Sequence, residues 1–93
     1  MGKHLTPLAV LERLIGPPES IAQAAGLHPK SAFPWRRPSS LREAGDLPSI
    51  RVARRLLAYA AARQIPLTAE HLIWGATEAE INALLAQPGV AAE

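Results

Sequence analysis

The stretch Ser20-Ile21-Ala22-Gln23-Ala24-Ala25-Gly26-Leu27-His28-Pro29-Lys30-Ser31-Ala32-Phe33-Pro34-Trp35-Arg36-Arg37 decides the fold. Two short helices that cross steeply around a tight turn need a small residue where they touch, and glycine where the backbone takes positive φ. Ala22 and Gly26, four positions apart, meet both needs. Ile21 and Ala25 anchor the segment before the turn, Leu27 sits in it, and Ala32 and Trp35 anchor the segment after it. The pattern predicts a helix-turn-helix from about Pro18 to Arg37.

Working outward, prolines and glycines divide the rest of the chain. Thr6-Pro7 starts a first helix over about 7–15, with Thr6 as cap and Leu8, Leu11 and Ile15 on one face up to Gly16. Gly16-Pro17-Pro18 forces a turn, and Glu19 favours the dipole of a second helix over about 18–25. Pro29 opens a third helix running toward Trp35. The polar segment Pro38 to Pro48 reads as a loop, after which Ser49 caps a fourth helix over about 50–63 whose inward stripe is Ile50, Ala53, Leu56, Leu57 and Ala60. Thr68 caps a short turn carrying Leu72 and Ile73, and Thr77-Glu78-Ala79-Glu80 is a capping box for a last helix of Ile81, Leu84 and Leu85 ending near Pro88. The expected architecture is an all-α, compact five-helix domain spanning 1–88, with a flexible tail at 89–93. Trp35 and Trp74 are both assigned to its core.

Composition agrees with helix packing. The 93 residues are 48% hydrophobic but only 4% aromatic, rich in Ala, Leu and Ile, and form one modest core. The lack of cysteine excludes disulfides and thiolate zinc sites. The apolar run Leu56–Ala62 is far short of the roughly 20 residues of a membrane span, and the N-terminal segment lacks the regions of a signal peptide. A cytoplasmic, nucleoid-associated bacterial protein is expected, with no membrane partner. Net charge is only +2, yet eight basic residues against two acids between Lys30 and Arg63 give a local balance of +6, and the remainder carries −4. Seven of those eight are arginine, whose planar fork holds two phosphate oxygens or the O6 and N7 of guanine. Solvation of ordinary helices is the competing explanation.

The ordered set Ile21-Ala22, Gly26-Leu27, Trp35-Arg36-Arg37, Leu47-Pro48 and Leu67-Thr68-Ala69-Glu70-His71-Leu72 resembles the Cro-like and YdaS-like regulators of phages and prophages, over about residues 11–73. The resemblance implies a transcriptional regulator that binds operator DNA, commonly as a dimer, with helix three in the major groove and arginines on phosphates. Family positions map the groove-facing side onto His28, Pro29, Lys30, Phe33 and Pro34. Lys30 would bond guanine, and Phe33 would touch a thymine methyl or belong to the core. Ser31, on the same helix, is a further DNA-binding candidate. Ser20 and Gln23 suit phosphate oxygens or plain exposure, and Arg36, Arg37 and Arg42 are the strongest phosphate candidates. The arginines of helix four are less securely placed.

Two features depart from the family. The 38–46 segment is longer than the usual link, either an extra backbone-contacting loop or a tolerated insertion. Pro34 removes a donor and would clash with the Lys30 carbonyl in an α-helix, at a cost of about 3 kcal/mol. Helix three is therefore expected to kink, or to stop near Phe33, leaving recognition to the free N–H groups of its first turn.

No Ser-His-Asp order, phosphate loop or paired carboxylates are present, and His4, His28 and His71 are too scattered for a metal site, so neither an enzyme nor a cofactor is expected. Glu78 and Glu80 read as first-turn acids. The alternative to DNA binding is a protein-interaction module on the same scaffold. A homodimer through the C-terminal helix is expected, unless Ile81, Leu84 and Leu85 close the monomer's own core.

Overall fold

The computed structural model describes residues 3–86, so the expected tail at 89–93 and the helix end near Pro88 lie outside the described residues. The chain runs β1 (His4–Leu5), α1 (Pro7–Leu14), α2 (Pro18–Ala24), the 3₁₀ helix η1 (Pro29–Arg36), α3 (Ile50–Ala62), α4 (Ala69–Trp74), β2 (Ala76–Thr77) and α5 (Glu78–Leu85). Among the described residues the expected five helices without strands are thus six helices and a small two-stranded sheet. The turn anticipated at Leu72 is a helix, and the residues before Pro7 form a strand. Among the described residues no helix is long and apolar enough to cross a membrane.

Local chemistry sets the helix starts. Thr6 Oγ1 accepts the Ala9 N–H at 3.2 Å, Pro7 has no N–H to satisfy, and the Leu8 N–H donates to the Gly45 carbonyl at 2.9 Å. The first orphan donors of α1 are therefore all placed, one of them by the 38–46 segment. Ser49 Oγ accepts the Val52 N–H at 3.2 Å and caps α3. Thr77 and Glu80 form the expected capping box on α5. Thr68 and His71 form the same reciprocal pair on α4, with imidazole Nδ1 accepting where a carboxylate usually does.

Helix α1 lies between two apolar clusters. On one side Leu8 and Leu11 join Ile21, Ala22, Ala25, Ala32, Trp35, Val52, Leu56 and Leu72; on the other, Val10 joins Leu5, Ala76 and Ile81. The second side is covered because β1 and β2 pair antiparallel, His4 with Thr77 and Leu5 with Ala76, and bring α5 onto α1. Glu78 N–H donates to the Lys3 carbonyl at 2.6 Å, and Arg13 closes an ion pair on Glu78 at 2.6 Å. Gly75 makes the strand approach possible. Its φ is +75°, and a Cβ there would lie 1.9 Å from the Leu5 carbonyl oxygen.

Two apolar residues are placed differently from the expectation. Trp74 is 73% exposed, because Leu72 faces the core and a residue two places on points about 200° away around a short helix. Ile50 is 65% exposed, since the inward stripe of α3 is Val52, Leu56 and Ala60 at i, i+4 and i+8. Ala53 and Leu57 border that stripe, half-buried.

Candidate nucleic-acid interface

Helix α2 needs no side-chain cap, since Pro17 and Pro18 have no amide hydrogens and Glu19 stands in its first turn. Ile21, Ala22 and Ala25 are fully buried on its inner side. Two bonds end the helix: Leu27 N–H reaches back to the Ala22 carbonyl at 2.9 Å, and Gly26 N–H to Gln23 at 3.0 Å. This Schellman arrangement requires the left-handed backbone that Gly26 adopts at φ +76°. His28 follows, and its Nδ1 accepts the Lys30 N–H at 3.1 Å, capping η1.

Pro34 explains the geometry of the next element. An α-helix would place its ring against the Lys30 carbonyl, whereas a 3₁₀ helix bonds residue i to i−3 and runs at three residues per turn. The segment takes the second course and continues to Arg36, past the kink or stop at Phe33 that the sequence led us to expect. A period of three also fixes its sides. Ala32 and Trp35 form the buried row with half-buried Pro29, while Lys30, Phe33 and Arg36 stack in an exposed row. Ser31, Pro34 and Arg37 make the third. Within the exposed row the Arg36 guanidinium lies 5.8 Å from the centre of the Phe33 ring.

An eight-residue 3₁₀ helix is long for its kind and needs support at both ends. Arg42 supplies it at the C-terminal end. Its guanidinium donates to the carbonyls of Trp35 at 3.3 Å, Arg37 at 3.2 Å and Pro34 at 3.4 Å. The Gly45 N–H adds a 2.7 Å bond to the Trp35 carbonyl. Arg42 is therefore turned inward onto the backbone, unlike the outward phosphate ligand expected of it. Ser39 and Arg42 exchange backbone hydrogen bonds at 2.7 and 3.3 Å, making a tight turn with Leu41 97% exposed at its tip. The 38–46 segment is thus a brace joining η1 to the start of α1.

The other candidates divide. Lys30, Phe33, Arg36 and Arg37 come together on the outer side of η1, and Phe33 is 39% exposed, resolving its two alternatives toward the surface. Arg36 also pairs with Glu12 at 3.3 Å. His28 is exposed beside Lys30, with Nδ1 engaged in the cap; Ser31 is half-buried. Gln23 is exposed on α2, whereas Ser20 is half-buried beside Gly16, at the opposite end of that helix from η1. The free first-turn donors expected of helix three are absent from η1: Pro29 has none, His28 Nδ1 takes that of Lys30, and the His28 carbonyl takes that of Ser31 at 2.9 Å. Contacts from this helix must come from side chains.

One of the arginines that the sequence left less securely placed now has a position. Arg55 reaches from α3 to the Ala25 carbonyl at 3.3 Å and lies over Gly26, which brings this one arginine of α3 to the turn between α2 and η1. Its position just before buried Leu56, at the edge of the inward stripe, was the available signal. Among the described residues Lys30, Arg37, Arg51 and Arg54 have no ion-pair partner. Compared with protein-family models, with curated proteins and with solved structures, the chain shows no match.

Proposed function

We propose that this chain binds duplex DNA as a transcriptional regulator of phage or prophage type, with α2 and η1 acting as a helix-turn-helix. The observation that carries the reading is the exposed row Lys30, Phe33 and Arg36, flanked by Arg37, on a helix seated against α2 by Ala32 and Trp35. A helix with cations along its exposed side suits the phosphate-lined major groove. In this reading backbone anchoring dominates, with Lys30, Arg36 and Arg37 on phosphates and Phe33 as an apolar contact to a thymine methyl. The extended rise of a 3₁₀ helix, about 2 Å per residue, spreads Lys30 and Arg36 of η1 over more of the groove than an α-helix would.

Fluorescence anisotropy with a pool of random duplexes tests this. Three phosphate contacts from Lys30, Arg36 and Arg37 imply that affinity falls roughly 40-fold between 50 and 200 mM salt. Lys30→Ala combined with Arg37→Ala should reduce the slope of log K against log salt by about 2. Among the described residues neither side chain has a hydrogen-bond or ion-pair partner, so these substitutions should leave the fold intact. No retention of any duplex at 50 mM salt would refute the reading and favour a protein-interaction module. Selection from genomic fragments then identifies the operator.

A further inference from the structure

The turn after η1 carries the most exposed large apolar side chain among the described residues, Leu41 at 97%. The backbone beneath it is pinned. Ser39 and Arg42 exchange backbone bonds at 2.7 and 3.3 Å, and Ser39 Oγ accepts the Leu41 N–H at 3.4 Å. Arg42 ties the same turn to the carbonyls of Pro34, Trp35 and Arg37, so the tip keeps a fixed place relative to η1. A single exposed leucine on a loose loop needs no explanation. One held out on a braced turn beside a basic helix forgoes burial within the chain and is ready to be buried by a partner.

Turn and helix share one groove, lined from η1 and its C-cap by Phe33, Pro34 and Arg37 and from the turn by Pro38, Ser39 and Arg42. The Arg42 guanidinium is engaged with carbonyls, which leaves Arg37 and the hydroxyls of exposed Ser39 and Ser40 as the donors near it. No acid lies between Lys30 and Arg42, and the first ones after it, Glu43 and Asp46, line a different groove with His4 and Trp74. A basic groove between a helix and a rigid tip suits one sugar-phosphate strand. With η1 in the major groove on one side of that strand, the tip stands at the minor groove on the other. We infer that Leu41 is an apolar wedge for the minor groove of the bound duplex, entering between base pairs and kinking the DNA, while Arg37, Ser39 and Ser40 hold the intervening strand. The inference rests on the DNA-binding reading of η1 and adds to it a bend and a preference for pyrimidine-purine steps such as TA, which unstack readily.

Förster transfer between dyes at the two ends of a duplex of about 25 base pairs, in about 50 mM salt, tests it. One duplex alternates T and A; the other has one all-purine and one all-pyrimidine strand. Binding of the full chain should raise the transfer on the alternating duplex and raise it less on the other. Leu41→Ser should abolish the rise and weaken binding roughly tenfold, because the burial of a leucine is lost. The salt slope and the far-UV circular dichroism should stay as in the parent, since the side chain is uncharged and exposed. Leu41→Met should keep the bend. A duplex that the parent binds but leaves straight, or that Leu41→Ser bends equally, overturns the wedge and leaves the reading of η1 standing. If the parent binds neither duplex, both fall.

Discussion

Replacing Arg42 separates an inward brace from an outward phosphate ligand. A hydrogen bond from a charged donor is worth about 1.5–3 kcal/mol at good geometry. The three bonds of Arg42, at 3.2 to 3.4 Å and partly solvated, are longer than ideal, so together they contribute roughly 2 kcal/mol. Arg42→Ala should therefore lower the urea midpoint by about 1–2 M. In thermal melts the same loss corresponds to roughly 8–16 °C for a chain of this size. Arg42→Lys should recover only part of it, since a single ammonium cannot fork across carbonyls that a planar guanidinium spans. Urea titrations followed by Trp35 fluorescence and by circular dichroism give the stability; anisotropy at low salt gives the DNA affinity of the folded variant. A variant as stable as the parent but weakened on DNA as much as Arg37→Ala would refute the brace.

The remaining expectations concern the frame. Gly75→Ala places a Cβ 1.9 Å from the Leu5 carbonyl oxygen at φ +75°, and should cost more than about 3 kcal/mol in a thermal or urea melt, with β1 detached from β2. Gln64 holds a left-handed φ of 59° where α3 ends, so Gln64→Gly should raise stability by about 0.5–1 kcal/mol. Glu78 is held below the usual carboxylate range by its bond to Arg13, and Glu80 by the Thr77 N–H and hydroxyl. Depressed folded-state values mean their contribution is complete above the ordinary carboxylate range and is lost as pH falls through the folded values. Melting temperatures measured downward from pH 5 should therefore fall less steeply for Glu78→Gln with Glu80→Gln than for the parent.

Most elements could be read from local pattern. Thr6-Pro7, Ser49 and the Thr77 to Glu80 box mark helix starts through bonds within four residues, so no tertiary knowledge is needed to place them. The clustering of Lys30, Arg36 and Arg37 was legible for the same reason. Assignments that depend on which side of an element faces inward were less secure. Trp74 was placed in the core on hydrophobicity alone, and its exposure is decided by two residues' rotation around α4. Arg42 looked like its arginine neighbours until a turn of the chain aimed it at three carbonyls.

By itself, the sequence determined the two short helical segments around Gly26, the position of the cations after the turn, and the presence of a proline that an α-helix could not accept without loss. Local sterics and hydrogen bonding carry that information. Tertiary structure decided how the proline is accommodated. Burial of Ala32 and Trp35 against α2, together with the reach of Arg42 and Gly45 from the loop that follows, compensates the weaker bonds of a 3₁₀ helix. Those supports lie outside the helix itself, and their assembly sustains the period of three that aligns Lys30, Phe33 and Arg36.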